Sequence, residues 1–411
     1  MVNERSQTEN SLFLHADGDS FFVACELATR PELRGKAVVV GEDRGIAVAM
    51  SQEAKKLGVT RGMPVFKIKK EFPEVILLTH HFSEYRRISN KVYDILISYL
   101  EAVEVYSIDE CFALIKPSDV RFYGSIENLV RRIKNEIEET TGVSYSYGVG
   151  RTKALAKTAS KLEKPCGLVI LHTPADEATA LKNSPIDDIW GIGRRTIPRF
   201  VAMGMKNAFD FICYPSEKIE QFFSEPLVLL QKELSGESHY ALHADSDPRD
   251  QKSIQSTATF RPPSSDPKII WAELSENVEN ACEHARRLDL MTNSVSFFVK
   301  TTEFRYSGGE AKLALFTADP GSVLNTIEPL LPRVLRPGEK IRSTGITLHN
   351  LRRSEDVPRD LFDFQNAADA KNLIEVVGDA IRAKFGQGAL MRAASLKGSG
   401  KEKDNSFPKH H

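Results

Sequence analysis

Four carboxylates in two short stretches carry the first chemical signal of this chain. Asp17 and Asp19 close "LFLHADGD", directly ahead of the aromatic pair Phe21 and Phe22, and Asp109 and Glu110 lie within "VYSIDECF". Gathered acids repel one another unless cations neutralise them. Oxygen donors of this kind suit Mg2+, which keeps waters or substrate phosphates in its shell. Two such ions, about 3.5–4 Å apart, would clamp the attacking and leaving oxygens of an in-line phosphoryl transfer. Other readings stay open on these residues alone. Asp19 is placed to cap the helix that follows. An aspartate pair after a strand also opens phosphatases of the haloacid-dehalogenase type, although Phe21 stands where that class prefers Thr or Val. The two phenylalanines would either fill a core or measure the shape of a ligand beside the cation.

Two more stretches bear charge at suggestive spacing. In "GRTKALAKTASKLEKPCG", Lys153, Lys157, Lys161 and Lys164 recur along a helical pattern, with Pro165 and Gly167 as its stop. They form either a solvated face or a basic arm that reaches a triphosphate. In "IWGIGRRTIPRF", Gly191 and Gly193 predict a turn between short helices whose N–H groups suit a nucleic-acid phosphate, with Arg194, Arg195 and Arg199 nearby. A plain helix-hairpin turn explains that spacing equally.

The elements that must position these groups follow from periodicity. "LFLHA" reads as a strand, with Phe22, Val23 and Leu27 on the buried side of the next helix. "KAVVVG" and "IAVAMS" read as two strands joined by a tight turn, "EDRG", followed by a helix that Gly58 stops. "SEYRRISNKVYDILISYL" and residues 126–140 keep helical spacing, and "VEVYSIDECFALI" alternates on both sides of "IDE" as a hairpin would. With "YSYGVG" as a further strand, strands and helices interleave as in a split βαβ, ferredoxin-like unit. There the first and third strands are commonly neighbours, so the two acid stretches are expected to meet.

Composition narrows the class. At 41% hydrophobic and 27% charged over 411 residues, the chain is expected to form several soluble domains. It has no apolar run of bilayer length, and "MVNERSQTEN" lacks the apolar core of a secretory signal. Five scattered cysteines without a CxxC pair argue against zinc or a disulfide framework and suit a reducing cytoplasm. A net charge of −1 gives no overall pull on nucleic acid, so any such binding must be local.

Taken in order, "HADGDSFFVACE", "VYSIDECF", "RTKALAKTASKLEKPCG" and "IWGIG" resemble the Y-family translesion DNA polymerases, nearer the UmuC-like than the DinB-like bacterial branch. The resemblance covers roughly residues 12–352 and implies an α+β multidomain, right-hand polymerase. Its parts would be a ferredoxin-like palm (1–32 and 79–180), small fingers (33–78), a helical thumb with a helix-hairpin-helix (181–245), a linker (246–253) and an α+β little finger (254–352). By the same resemblance Asp17, Asp109, Glu110 and the Gly18 carbonyl carry two Mg2+ ions. Phe22 is the steric gate against a 2′-hydroxyl, with Phe21 beside it, and Lys55 and Lys164 face the dNTP. Gln52 and Lys55 stand where the family often has Tyr and Arg, which removes a bidentate fork from the triphosphate side. Competing functions are a non-catalytic DNA- or clamp-binding relative and a nucleotide cyclase with a similar palm.

For the second half, Lys252, Lys300 and Arg305 are candidate DNA contacts alongside Gly191, Gly193 and Arg194. Residues 251–352 hold 13 Lys and Arg against 11 Asp and Glu, so a strong electrostatic grip is not expected. In the 353–411 tail, "VPRDLFDF" resembles sliding-clamp peptides through Asp360, Leu361 and Phe362. "AKNLIEVVGDAIRAKFG" is expected to be helical and the terminal residues disordered. Primer-template DNA, dNTPs, a clamp and accessory subunits are therefore the expected partners, with no membrane.

Overall fold

The computed structural model describes residues 11–42, 45–244, 250–357, 375–382, 384–386, 389–390 and 392–395. The chain divides into two compact units, Met1–Ser246 and Asp247–His411.

The first unit is built on a five-stranded sheet in the order β5-β6-β1-β7-β8. Its strands are β1 (Leu12–Gly18), β5 (Val103–Val105), β6 (Glu110–Ile115), β7 (Tyr145–Gly150) and β8 (Leu168–Ile170). Alternation divides β1 between two faces. Leu14 and Ala16 join a core with α1 (Phe21–Thr29), α4 (Phe82–Tyr99) and α6 (Ile126–Thr141), where Tyr85, Ile88, Leu129 and Ile133 are buried. His15 and Asp17 face the opposite side, which α7 (Lys153–Leu162) covers. Thr152 caps α7 by accepting the Leu155 N–H. Contact between α7 and β7 is close: a Cβ on Gly148 would lie 2.1 Å from the Ala156 carbonyl and 2.2 Å from the Ser160 nitrogen.

A separate three-stranded sheet, β3-β2-β4, occupies the expected insertion: β2 (Val38–Val40), β3 (Ala49–Met50) and β4 (Ile76–Leu78), with α2 (Gln52–Lys56) and α3 (Val65–Glu71). The expected tight turn is corrected here. Val39 pairs with Met50, so the connection is a broad loop, part of which, Asp43 and Arg44, lies outside the described residues. Ile46 bridges Pro64, and the Ala47 N–H donates to the Met63 carbonyl, which draws that loop toward α3. Gly58 ends the α2 segment at φ +100°, a conformation that costs a glycine little. Five helices then follow: α8 (Pro174–Lys182), α9 (Ile197–Ala202), α10 (Ala208–Cys213), α11 (Ser216–Phe222) and α12 (Glu225–Leu234). They pack around Phe200, Phe211, Ile219 and Leu230.

The second unit is an antiparallel sheet in the order β11-β10-β12-β9. It comprises β9 (Ser253–Ser264), β10 (Leu290–Thr301), β11 (Tyr306–Thr317) and β12 (Ile341–His349). One face buries Ile254, Val295, Phe297 and Ile346 against α13 (Pro267–Arg287) and α14 (Pro320–Ile327). Of the expected tail helix, residues 375–382 are helical, and Asp379 accepts from Arg286 Nε at 2.6 Å and Nη2 at 2.8 Å. The candidate clamp residues Asp360, Leu361 and Phe362 lie outside the described residues. No helix among the described residues is long and apolar enough to cross a membrane.

Candidate active site

Strand register brings the two acid stretches together. β1 and β6 run antiparallel with Asp17 directly opposite Glu110, and the Gly18 N–H donates to the Asp109 carbonyl at 2.9 Å. Asp109 is oriented by Ser107, whose hydroxyl donates to Oδ1 at 2.6 Å. Burial pushes the Asp17 carboxyl above its ordinary range against the pull of Lys164, and the charges of Glu110 and Asp109 push the same way. Three carboxylates at adjoining strand ends make a hard-oxygen donor set, which fits Mg2+. Ligand atoms of Asp17, Glu110 and His15 lie within 4.8 Å of one another.

His15 was not legible as a site residue by motif, yet it shares the β1 face of Asp17 through the two-residue strand period. It is fully buried, and its Nδ1 bonds the Ser160 hydroxyl at 2.7 Å. Its Nε2 stands 3.8 Å from Glu110 Oε1, without a hydrogen-bond partner among the described residues. Burial first, and then the charges of Lys157, Lys164, Lys161 and Lys153, hold its pKa well below the usual value.

The lysine run forms neither a solvated face nor a single arm. Lys153 is buried and donates to both oxygens of Glu104 at 2.9 and 2.7 Å. Lys157 donates to Glu110 Oε1 at 2.5 Å, and Lys161 to the Asp188 carbonyl at 2.6 Å. Lys164 pairs with Asp17 at 2.6 Å and keeps 31% of its side chain in solvent. Two of the three acids thus carry a lysine counterion.

The capping role expected of Asp19 is corrected. Ser20 occupies the N-cap of α1 without a side-chain capping bond. Asp19 instead accepts from the Ser146 hydroxyl and the Cys166 N–H, both at 2.8 Å. It thereby fixes the turn after α7 from which Lys164 projects.

A cleft of about 640 Å3 opens beside the acids, lined by Asp17, Gly18, Phe22, Lys55, Arg61 and Asp109 among others. Its size is in the range of small-molecule sites, roughly 300–1,000 Å3. Phe21 is mainly core: it is 3% exposed and meets the Tyr145 ring edge-on at 6.2 Å, with only part of its ring at the cleft. Phe22 is half-buried and stacks on Tyr85 with centroids 4.7 Å apart and planes 15° from parallel. Tyr85 is itself fixed, donating to Glu26 Oε1 at 2.6 Å. Glu26 is 3% exposed and also bonds His81 Nδ1 at 2.8 Å and the Arg30 guanidinium. Lys55 reaches the same cleft, donating to the Ser20 hydroxyl at 3.2 Å.

The Gly191-Ile192-Gly193 turn lies between a short 3-10 turn (Ile186–Asp188) and α9. Gly191 has φ +84°, and Gly191, Gly193 and Arg194 are exposed. Arg199 is engaged elsewhere, donating to the Phe222 carbonyl at 2.7 Å over the Phe223 ring.

In the second unit, Lys300 lies 4.9 Å from the Phe304 ring centre and 4.6 Å from that of Tyr306, and Arg342 lies 4.6 Å from Phe304. This cationic-aromatic group lines one surface of the second sheet, and no motif marked Arg342 as part of it. Lys252 is exposed beside Arg352 and Arg353. Arg305 is bound to Glu303, with Glu339 at 3.9 Å, which weakens its candidacy as a phosphate contact.

Residues 16–161 match the family model described as impB/mucB/samB, and residues 251–361 match the model of that family's C-terminal domain. The chain belongs to this family, the Y-family of DNA polymerases. It is 31% identical over 405 residues to a DNA polymerase IV of Desulfatibacillum aliphaticivorans, covering 94% of this chain and 97% of that one. It is 30% identical over 395 residues to the Protein UmuC of Salmonella typhimurium, covering 92% of each chain. A solved Y-family polymerase chimera of Dbh and Dpo4 shares the fold at TM-score 0.70 and 24% identity, covering 84% of this chain and all of that one. Membership in the Y-family makes the chain a DNA-directed DNA polymerase and leaves the phosphatase and cyclase readings without support.

Proposed function

We propose that the chain carries out low-fidelity, template-directed translesion synthesis, joining a dNTP to a primer 3′-hydroxyl at the Asp17–Asp109–Glu110 site. The observation that supports this reading most is the register that sets Asp17 against Glu110 beside a cleft lined by Phe22. In this reading the main five-stranded sheet is the palm, residues 33–78 the fingers, 181–245 the thumb and 254–352 the little finger.

Asp17, Asp109, Glu110 and the Gly18 carbonyl would hold two Mg2+ ions, which when bound neutralise the triphosphate and raise the acidity of the 3′-hydroxyl. Ser107 holds Asp109 in orientation, and His15 stands 3.8 Å from Glu110. Lys164 and Lys55 give the triphosphate point charges from two sides. The Phe22 ring occupies the space a 2′-hydroxyl would need, so deoxynucleotides are selected by exclusion. Tyr85, anchored by Glu26, keeps that ring from rotating away. Backbone N–H groups at Gly191 and Gly193, with Arg194, approach the DNA backbone, and Lys252 and Lys300 add contacts from the second unit. A sliding clamp at residues 360–362 and accessory subunits are the protein partners this reading adds, on sequence resemblance alone. The free thiols of Cys25, Cys111, Cys166, Cys213 and Cys282 support a cytoplasmic setting.

The test is extension of a labelled primer with Mg2+ and each dNTP in turn, on templates that differ only in the next base. Addition that follows the template base supports the proposal. Addition indifferent to the template, or turnover of ATP or GTP without DNA, overturns it.

A further inference from the structure

The surroundings of Lys157 hold a feature that the chemistry above does not use. Besides its bond to Glu110, the Lys157 ammonium lies 4.7 Å from the Tyr106 ring centre, 5.6 Å from that of Trp190 and 5.9 Å from that of Phe112. Trp190 Nε1 donates to the Tyr106 hydroxyl at 3.0 Å, and the two rings meet edge-on at 5.6 Å. Trp190 also meets Tyr240, with ring centres 5.3 Å apart. The Tyr106 N–H donates to the Glu110 carbonyl at 3.0 Å. Trp190 is directly followed by Gly191-Ile192-Gly193. An unbroken series of contacts therefore runs from the DNA-side turn to a metal-site carboxylate.

We infer that Trp190 is a positioning residue that couples DNA binding at the Gly191–Gly193 turn to metal binding at Glu110, through Lys157 and Tyr106. This rests on the proposed roles of Glu110 and of the turn. Lys157 is 6% exposed and has two attractors, the carboxylate and the ring faces. A cation bound by Glu110 weakens the first, and the aromatic box then keeps the ammonium from becoming an unpaired buried charge. DNA seated on the turn holds Trp190, and with it the box, in the arrangement that favours the metal. By linkage, metal and DNA then strengthen each other's binding by the same factor.

The test measures Mn2+ affinity of the full chain by the electron paramagnetic resonance of free Mn2+, with and without a dideoxy-terminated primer-template duplex, after subtracting Mn2+ bound by DNA alone. The expected result is that DNA tightens Mn2+ binding by about fivefold or more. In Trp190→Leu the gain should fall below about twofold, while DNA-free Mn2+ affinity changes far less. Equal coupling in wild type and Trp190→Leu, or none in wild type, overturns the inference. Glu110→Gln separates the two layers. If it leaves Mn2+ affinity unchanged, the metal role of Glu110 fails and takes the inference with it. If it weakens Mn2+ while Trp190→Leu keeps full coupling, the inference alone fails. Should Trp190→Leu not fold, Trp271→Phe leaves Trp190 as the sole tryptophan. Mn2+ should then shift its emission, and an unmoved spectrum overturns the inference.

Discussion

Replacing Lys153 by Met should destabilise the first unit far more than loss of a surface ion pair would. Lys153 and Glu104 are 3% and 8% exposed, and the ammonium bonds both carboxylate oxygens. It also reaches the Ala241 carbonyl at 3.3 Å and lies 4.6 Å from the Phe112 ring centre. Methionine fills most of the lysine's volume, so a cavity is not the main effect. What remains is a buried Glu104 carboxylate with the His243 N–H, at 2.7 Å, as its surviving named donor. Breaking one side of a buried pair costs about 3–5 kcal/mol, whereas exposed pairs are worth about 0–1 kcal/mol. Removing both charges, as in Lys153→Met with Glu104→Leu, should cost much less, because an apolar replacement avoids the desolvation of both ions. The lost His243 bond then accounts for a residual of about 1 kcal/mol. Urea unfolding is the assay, and each unit carries its own reporter: Trp190 in the first and Trp271 in the second. Only the Trp190 transition should move. A single-variant cost below about 1 kcal/mol, or a double variant no more stable than Lys153→Met, would mean that Lys153 and Glu104 do not act as a buried ion pair.

Three other outcomes follow from the same geometry. Phe22→Ala should improve ribonucleotide use relative to deoxynucleotide by at least about tenfold in single-nucleotide insertion, equal to about 1.4 kcal/mol; unchanged selection would make Phe22 a core residue only. Gly148→Ala drives a Cβ into the backbone of α7, so a loss of about 3 kcal/mol or more is expected in the same urea assay, and a cost near zero would mean that α7 is free to move. Burial pushes Glu26 up, but the bonds from Tyr85, His81 and Arg30 outweigh it, and its carboxyl sits below the usual range. The stability it contributes is therefore present above its unfolded value of about 4.3 and lost as pH falls through its lower folded value. The stability gap between wild type and Glu26→Gln should close in that acid window, and a gap that widens there contradicts the assignment.

The sequence revealed local order well and long-range pairing poorly. The apolar spacing of "SEYRRISNKVYDILISYL" gives α4, and the alternation around "IDE" gives the β5–β6 hairpin, because burial on one face imposes its period on the residues. The meeting of Asp17 with Glu110 followed from the neighbouring of strands in a ferredoxin-like sheet. Asp19 looked like a cap because caps are local, while its actual partners, Ser146 and Cys166, are 127 and 147 residues away. The same holds for Lys153 and Lys157, whose spacing suggests a charged face until β5 and β6 supply the opposing carboxylates. "GEDRG" carries strong turn chemistry, but the bridge from Ile46 to Pro64 pulls the loop open. Glu26 resembles any helical glutamate; only the fold shows Tyr85 and His81 converging on it.

In the proposed function, Asp109 belongs to the site of nucleotide transfer. Its most direct test is single-turnover extension of a labelled primer on a templated duplex with Mg2+, for wild type and Asp109→Ala, with duplex binding measured in parallel. Asp109→Ala should retain wild-type duplex affinity and lose at least about 10³-fold in the rate of nucleotide addition, or about 4 kcal/mol of transition-state stabilisation. Extension by Asp109→Ala within about tenfold of the wild-type rate would contradict that role.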